Sequence, residues 1–145
     1  MRATILVLII GLIFSSCSKN KYTSAPQIKY KSLTTNVFDN STISQGPGVV
    51  FSITDAEGDI GDTAFVHIKN LLTGDSTEKP FPNLTGANKK NLKADVTVYV
   101  SLGGCNGGGL PNRIDTMYYE IYVTDFAKNK SNTIVTGDPV YQQCQ

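Results

Sequence analysis

The chain has 145 residues, of which 13 are basic, 12 are acidic and 40% are hydrophobic, with a formal net charge of +1. A chain of this length accommodates one domain. The near-neutral charge offers no basic patch or stripe of the kind that nucleic-acid binding requires. We therefore expect a single domain that binds no nucleic acid.

The first 16 residues have the pattern of a secretory signal peptide. Arg2 supplies the positive start, and residues 5–14 form an apolar run of about ten residues. That run is too short for a membrane-spanning helix, which needs about 20 residues. Removal of residues 1–16 deletes only Arg2 among the charged residues, so 12 of the 13 basic residues remain against 12 acidic ones.

Residues 14–17 read Phe-Ser-Ser-Cys directly after the apolar run, and they resemble the lipobox of bacterial lipoproteins. The resemblance implies that Cys17 is diacylated, becomes the first residue of the mature chain and anchors it in the membrane. The next residue is Ser18 and not the aspartate that retains some lipoproteins in the inner membrane, which favours the outer membrane of the bacterial cell envelope. The alternative is an ordinary secretory cleavage site beside a chance cysteine. Residues 17–26 are predicted to be the lipidated cysteine and a polar tether.

The remaining residues, 27–145, show apolar alternation with period two and no sustained helical periodicity. Turn-forming residues separate the alternating segments, which predicts an all-β domain, an antiparallel β-sandwich of about seven strands. Residues 49–54 and 63–70 flank an acidic turn and are predicted to pair with each other. The predicted strands are residues 27–35, 49–54, 63–70, 76–81, 94–102, 114–124 and 131–141.

Three short motifs connect this domain with known proteins. Residues 115–121 (DTMYYEI) resemble the start of strand F in immunoglobulin-like domains, with an Asp four residues before a buried Tyr. Residues 123–132 are similar to the final hairpin of bacterial immunoglobulin-like repeats, and residues 55–61 (DAEGDIG) resemble a loop of small bacterial lipoproteins. The resemblance implies a lipoprotein with one immunoglobulin-like domain. It implies no catalytic activity.

Two cysteines remain once Cys17 is assigned to lipid, and an oxidising compartment favours a disulfide between them. An immunoglobulin-type chain path would bring Cys105 and Cys144 to the same end of the domain. A metal–thiolate pair is the alternative, but the chain has one histidine and no Cys-x-x-Cys motif.

An acidic loop is the candidate metal site. The same chain path brings Asp125 to the end of the domain where four acidic residues lie within eight positions. Calcium prefers six to eight oxygen ligands from carboxylates, carbonyls and water, so the sequence offers a calcium site; a solvated acidic turn is the alternative. No other cofactor is predicted. The candidate ligands are Asp55, Glu57, Asp59, Asp62 and Asp125.

The outward positions of the predicted strands carry several aromatic side chains, which form a candidate surface for a partner or only cover a sheet. His67, the one histidine of the sequence, is expected to be an exposed strand residue. We expect a lipid-anchored binding or spacer module without catalytic activity, whose partner is an envelope protein or a glycan. The alternative is an accessory subunit of a nutrient-uptake or surface-assembly system, and an enzyme is the third reading. The candidate aromatic residues are Phe65, Tyr99, Tyr118 and Tyr122.

Overall fold

The computed structural model describes residues 23–39, 46–61, 64–84, 90–103, 105 and 112–144. These residues form ten strands and no helix, which confirms the prediction of an all-β chain. Within them, accordingly, no helix has the length and apolarity needed to cross a bilayer. The strands are β1 (Gln27–Leu33), β2 (Val37–Asp39), β3 (Gly48–Asp55), β4 (Phe65–Asn70), β5 (Ser76–Pro80), β6 (Leu92–Tyr99), β7 (Arg113–Met117), β8 (Tyr119–Thr124), β9 (Ile134–Val135) and β10 (Val140–Cys144).

The strands form three sheets in which most neighbours run antiparallel. The sheets have the orders β1-β3-β6, β2-β10-β7 and β5-β4-β8-β9. Among these strands, only β2 and β10 pair in parallel. β5 lies at the edge of its sheet, which suits its terminal proline, because proline has no N–H to donate to a second neighbour.

Alternate side chains from strands of all three sheets fill one hydrophobic cluster. In β3 the residues at every second position are buried, and β8 follows the same rule with Tyr119, Ile121 and Val123. Met117 of β7 and Val140 of β10 are fully buried in the same cluster. The period-two alternation predicted from the sequence is therefore confirmed for β3 and β8.

The predicted pairing of the segments on either side of the acidic loop is wrong. β3 pairs with β1 and β6, whereas β4 pairs with β5 and β8. The loop between them therefore crosses from one sheet to another instead of closing a hairpin. Both strands bury alternate residues in the shared cluster, so their alternation reflects a common core and not a common sheet.

The predicted number of strands, about seven, is also too low. The segment predicted as one strand over residues 114–124 is interrupted at Tyr118, whose carbonyl accepts a hydrogen bond from the Leu71 amide instead of pairing within the ladder. The last predicted strand is divided into β9 and β10. The interruption begins at Thr136, whose hydroxyl accepts from the Tyr119 amide. β2 forms within a segment predicted to be turns.

The two ends of the fold carry different groups of side chains. At the end called here the acidic end, β3 and β8 both terminate in an aspartate-containing loop. Cys105 and Cys144 are joined by a disulfide, which confirms the predicted pairing. Cys17 and Asp62 lie outside the described residues, so the lipid anchor remains a prediction.

Candidate functional site

The acidic end brings together three carboxylates from two sheets. Asp55 is the last residue of β3, Asp59 lies in the following loop, and Asp125 directly follows β8. One carboxylate oxygen of each residue lies within 4.8 Å of the others. Asp55 and Asp125 have no solvent-exposed surface, so the group is built into the fold.

Hydrogen bonds within the two loops orient these side chains. Asp55 Oδ2 accepts from the amide of Gly58 at 2.5 Å. Gly58 has a φ of 74°, a conformation that a residue without a Cβ adopts at no steric cost. Asp125 accepts twice from Asn129, from its amide at 2.7 Å and from its side-chain Nδ2 at 2.9 Å. Each loop therefore positions its own carboxylate.

Two oxygens of the cluster have no hydrogen-bond partner. Oδ1 of Asp55 and Oδ1 of Asp59 are both buried and accept from no described donor. Buried polar atoms are nearly always hydrogen-bonded, and an ionised carboxylate without a partner is especially unfavourable. These two oxygens are therefore available as ligand atoms.

The electrostatics of the cluster are unfavourable without a counter-charge. Burial raises the pKa of the Asp55 carboxyl, and the charges of Asp59 and Asp125 raise it further, although the hydrogen bond from Gly58 and the nearby backbone amide of Asp59 lower it. Burial also raises the pKa of Asp59, followed by the charge of Asp125. Two unit charges about 5 Å apart repel by roughly 3 kcal/mol at an effective dielectric constant of 20.

No described cation forms an ion pair with the cluster. The ion pairs among the described residues are Lys31–Asp95, Arg113–Asp115 and the contact between His67 and Glu78. Among the described residues, the three aspartates therefore have no salt-bridge partner of the kind that normally accompanies buried charge.

The structure assembles three of the five predicted metal ligands. Glu57 belongs to the same loop, but its side chain is exposed, although its charge contributes to the raised pKa of Asp59. Asp62 lies outside the described residues. Sequence reasoning missed Asn129, whose spacing of four residues from Asp125 is the signal that could have identified it.

A second group of polar and aromatic side chains lies on the outward side of the β5-β4-β8-β9 sheet. His67 stacks on Tyr122 with ring centroids 4.3 Å apart. Its Nδ1 lies 3.2 Å from Glu78 Oε2, and its Nε2 lies 3.0 Å from the hydroxyl of Thr124. Lys130 Nζ lies 3.8 Å from the centroid of the Tyr122 ring. We call this group the His67 face.

The His67 face lines a surface cavity of about 260 Å³, with Lys69 and Glu120 at its sides. Each of its central side chains has a partner from a neighbouring strand, so the face is ordered before any ligand binds. Because His67 covers one side of the Tyr122 ring, Lys130 must lie on the other. Both faces of the Tyr122 ring are therefore in contact with a neighbouring side chain.

The structure separates the four predicted aromatic residues. Phe65 and Tyr122 belong to β4 and β8 of the same sheet, with Lys128 Nζ 5.4 Å from the Phe65 ring. Tyr99 belongs to β6 in another sheet, and Tyr118 lies between β7 and β8.

The other end of the domain has its own charged contact. Asp115 is bound by the Arg113 guanidinium at 2.6 and 2.8 Å and accepts from the Cys105 amide at 2.8 Å. The Arg113 contact lowers the pKa of Asp115. Because Cys105 and Cys144 are joined to each other, their sulfurs are not thiolates that could bind a metal with Asp115.

No protein-family model matches the chain, and no curated protein matches its sequence.

Proposed function

We propose that the protein is a non-catalytic, lipid-anchored module of the bacterial cell envelope, which binds an envelope protein through the His67 face. Residues 27–145 form an immunoglobulin-like sandwich in this proposal. Lipid on Cys17 attaches it to the outer membrane through a short tether. The observation that carries the proposal is the preordered cluster of polar and aromatic side chains on an exposed sheet.

The strand pairing supports the immunoglobulin-like part of the proposal. In immunoglobulin domains strands A, B and E share one sheet, and strands C, F and G share the other. The sheet β1-β3-β6 corresponds to A, B and E. β4 corresponds to C, β7 with β8 to a divided F, and β9 with β10 to a divided G. No strand in the described part of the chain takes the place of D.

The position of the N-terminal segment supports the role of an anchored module. The carbonyl of Thr23 accepts a hydrogen bond from the amide of Ala56 at 3.2 Å, so the chain reaches the domain at the acidic end. The residues between Cys17 and Thr23 span roughly 20 Å when fully extended. The domain would therefore stand close to the membrane surface.

The contacts of the His67 face favour a protein partner over a glycan. Carbohydrate stacking needs an open ring face, and both faces of Tyr122 are covered. Glu78 and Lys130 instead place one negative and one positive charge beside an aromatic centre, which suits the polar rim and aromatic core of a protein interface.

A pull-down from solubilised envelope tests the proposal. Glu78→Lys reverses one charge on the His67 face. Asp95→Lys reverses one charge on β6 and serves as the control, because the two side chains are similarly exposed, at 53% and 56%. We expect the first variant to lose a partner that the second retains.

A glycan array separates the alternatives. A specific glycan signal that is lost in Glu78→Lys would show that the His67 face binds a carbohydrate and not a protein. Retention of the same protein partner by both variants would show that the His67 face is not the binding surface.

A further inference from the structure

We propose that Asp55, Asp59 and Asp125 bind one calcium ion at the acidic end of the domain. This site is separate from the His67 face and does not depend on what that face binds. The proposal rests on two observations, the convergence of the three carboxylates and the unpartnered oxygens within them.

The geometry suits a single ion. One oxygen from each aspartate lies within 4.8 Å of the other two. Oxygens that share a calcium ion at 2.3–2.6 Å are separated by at most about 5 Å. The three carboxylates can therefore contact one ion without rearrangement of the strands that carry them, and water would complete its coordination.

Two buried oxygens of the cluster are available to coordinate a cation. Asp55 is completely buried, and its Oδ1 has no hydrogen-bond partner while Oδ2 is held by Gly58. Asp59 likewise has one hydrogen-bonded oxygen and one without a described partner. Its Oδ2 accepts from the Ala127 amide at 3.4 Å, and its Oδ1 is buried without a partner among the described residues. A solvated acidic turn would expose these atoms to water, and this loop does not.

The backbone of the acidic loop is fixed from several sides. The amide of Ala56 donates to Thr23, and the amide of Asn91 donates to the carbonyl of Ala56. The amide of Phe126 donates to the carbonyl of Asp59, which ties the loop to the one that carries Asp125. The loop is thus organised before an ion arrives, and binding need not supply the free energy of folding it.

The chemistry of the donors selects the ion. All three ligands are carboxylates, and oxygen donors suit calcium, magnesium and manganese better than softer metals. Magnesium requires near-ideal octahedral geometry at 2.0–2.1 Å and gives up its water reluctantly, whereas calcium accepts irregular sites. Calcium sites of extracellular modules have dissociation constants of roughly 10⁻⁴ to 10⁻³ M, and we expect this range here.

Calcium titration of the full-length chain, purified in detergent, tests the site directly. Isothermal titration calorimetry should give one ion per chain, with magnesium binding at least tenfold more weakly. At about ten times the dissociation constant, calcium should raise the melting temperature by several degrees over sodium at equal ionic strength. Absence of calcium binding, or equal binding of magnesium, would overturn the assignment.

Isosteric variants locate the ion. Asp59→Asn and Asp55→Asn should each weaken calcium binding at least tenfold. Both should also raise the melting temperature in EDTA, because each removes one of the mutually repelling charges. Asp95→Asn makes the same charge change on the exposed surface of β6 and should keep the full calcium response. A calcium response retained by both site variants would place the ion elsewhere and refute the proposal.

Discussion

The side chains of Asp55 and Asp125 are fully buried next to each other, although one ends a strand of the β1-β3-β6 sheet and the other follows a strand of the β5-β4-β8-β9 sheet. The two sheets thus place two carboxyl groups side by side at this end of the domain. Hydrogen bonds within the loops offset part of the repulsion between these charges, from Gly58 to Asp55 and from Asn129 to Asp125. These local contacts determine how well the acidic end tolerates substitution.

Asn129→Ala should destabilise the domain by about 1–2 kcal/mol. It removes the 2.9 Å hydrogen bond from Nδ2 to Asp125 and leaves a buried carboxylate oxygen unpaired. Urea unfolding monitored by circular dichroism measures the change. Asn83→Ala is the control, because Asn83 is exposed and its replacement should change stability by less than about 0.5 kcal/mol. Equal losses in the two variants would contradict the role assigned to Asn129.

Cys17→Ala should abolish stable membrane attachment, since acyl chains on Cys17 are its proposed source. Each buried methylene contributes about 0.8 kcal/mol, and two or three chains together hold a protein firmly. Detergent phase partitioning of wild type and variant measures the effect. A processed variant that still enters the detergent phase would show that Cys17 is not the anchor.

Loss of the Cys105–Cys144 disulfide should lower the free energy of unfolding by about 2–5 kcal/mol. The bridge joins residues 39 positions apart, and a loop of this length restricts the unfolded chain by about 4 kcal/mol on the chain-entropy model. The double variant Cys105→Ser/Cys144→Ser should unfold at lower urea than wild type. Dithiothreitol should lower the urea concentration at which the wild type unfolds and should leave the variant unchanged. An equal decrease in the variant would contradict the stabilising role of the disulfide.

Side-chain alternation made the buried faces predictable but left the strand pairing open. Val49, Phe51 and Ile53 mark one side of β3 as internal, and this pattern is the same whichever strand lies beside it. The pairing of β3 with β6 joins segments that are distant in the chain, and no turn signal encodes it. The prediction that residues 49–54 and 63–70 pair in a hairpin was wrong for this reason.

The acidic site was predictable in part for a different reason. Asp55 and Asp59 are close in sequence, and Asp125 joined them through the expected chain path. The contribution of Asn129 depends on the turn before it, in which Lys128 has a φ of 68°. A non-glycine residue rarely adopts this conformation, so the spacing of four residues between Asp125 and Asn129 marked a candidate partner but did not predict the turn that brings the two side chains together.

Tyr119 should make the domain sensitive to alkaline pH. It is almost fully buried, and burial raises its pKa from 10.0 to about 12. The folded state therefore holds the phenolic proton more tightly than the unfolded state does. The resulting stability is complete below pH 10 and is lost as the pH rises through about 12.

Tyr119→Phe tests this effect by removing the titrating group. The variant also loses the 3.0 Å hydrogen bond from the hydroxyl to the carbonyl of Ser101, so it should be less stable at pH 8 by about 1 kcal/mol. Between pH 10 and 12 its stability should fall less steeply than that of wild type. Tyr99→Phe, at an exposed position, is the control and should retain the wild-type slope. Parallel pH profiles for wild type and Tyr119→Phe would show that the proton on Tyr119 does not govern alkaline unfolding.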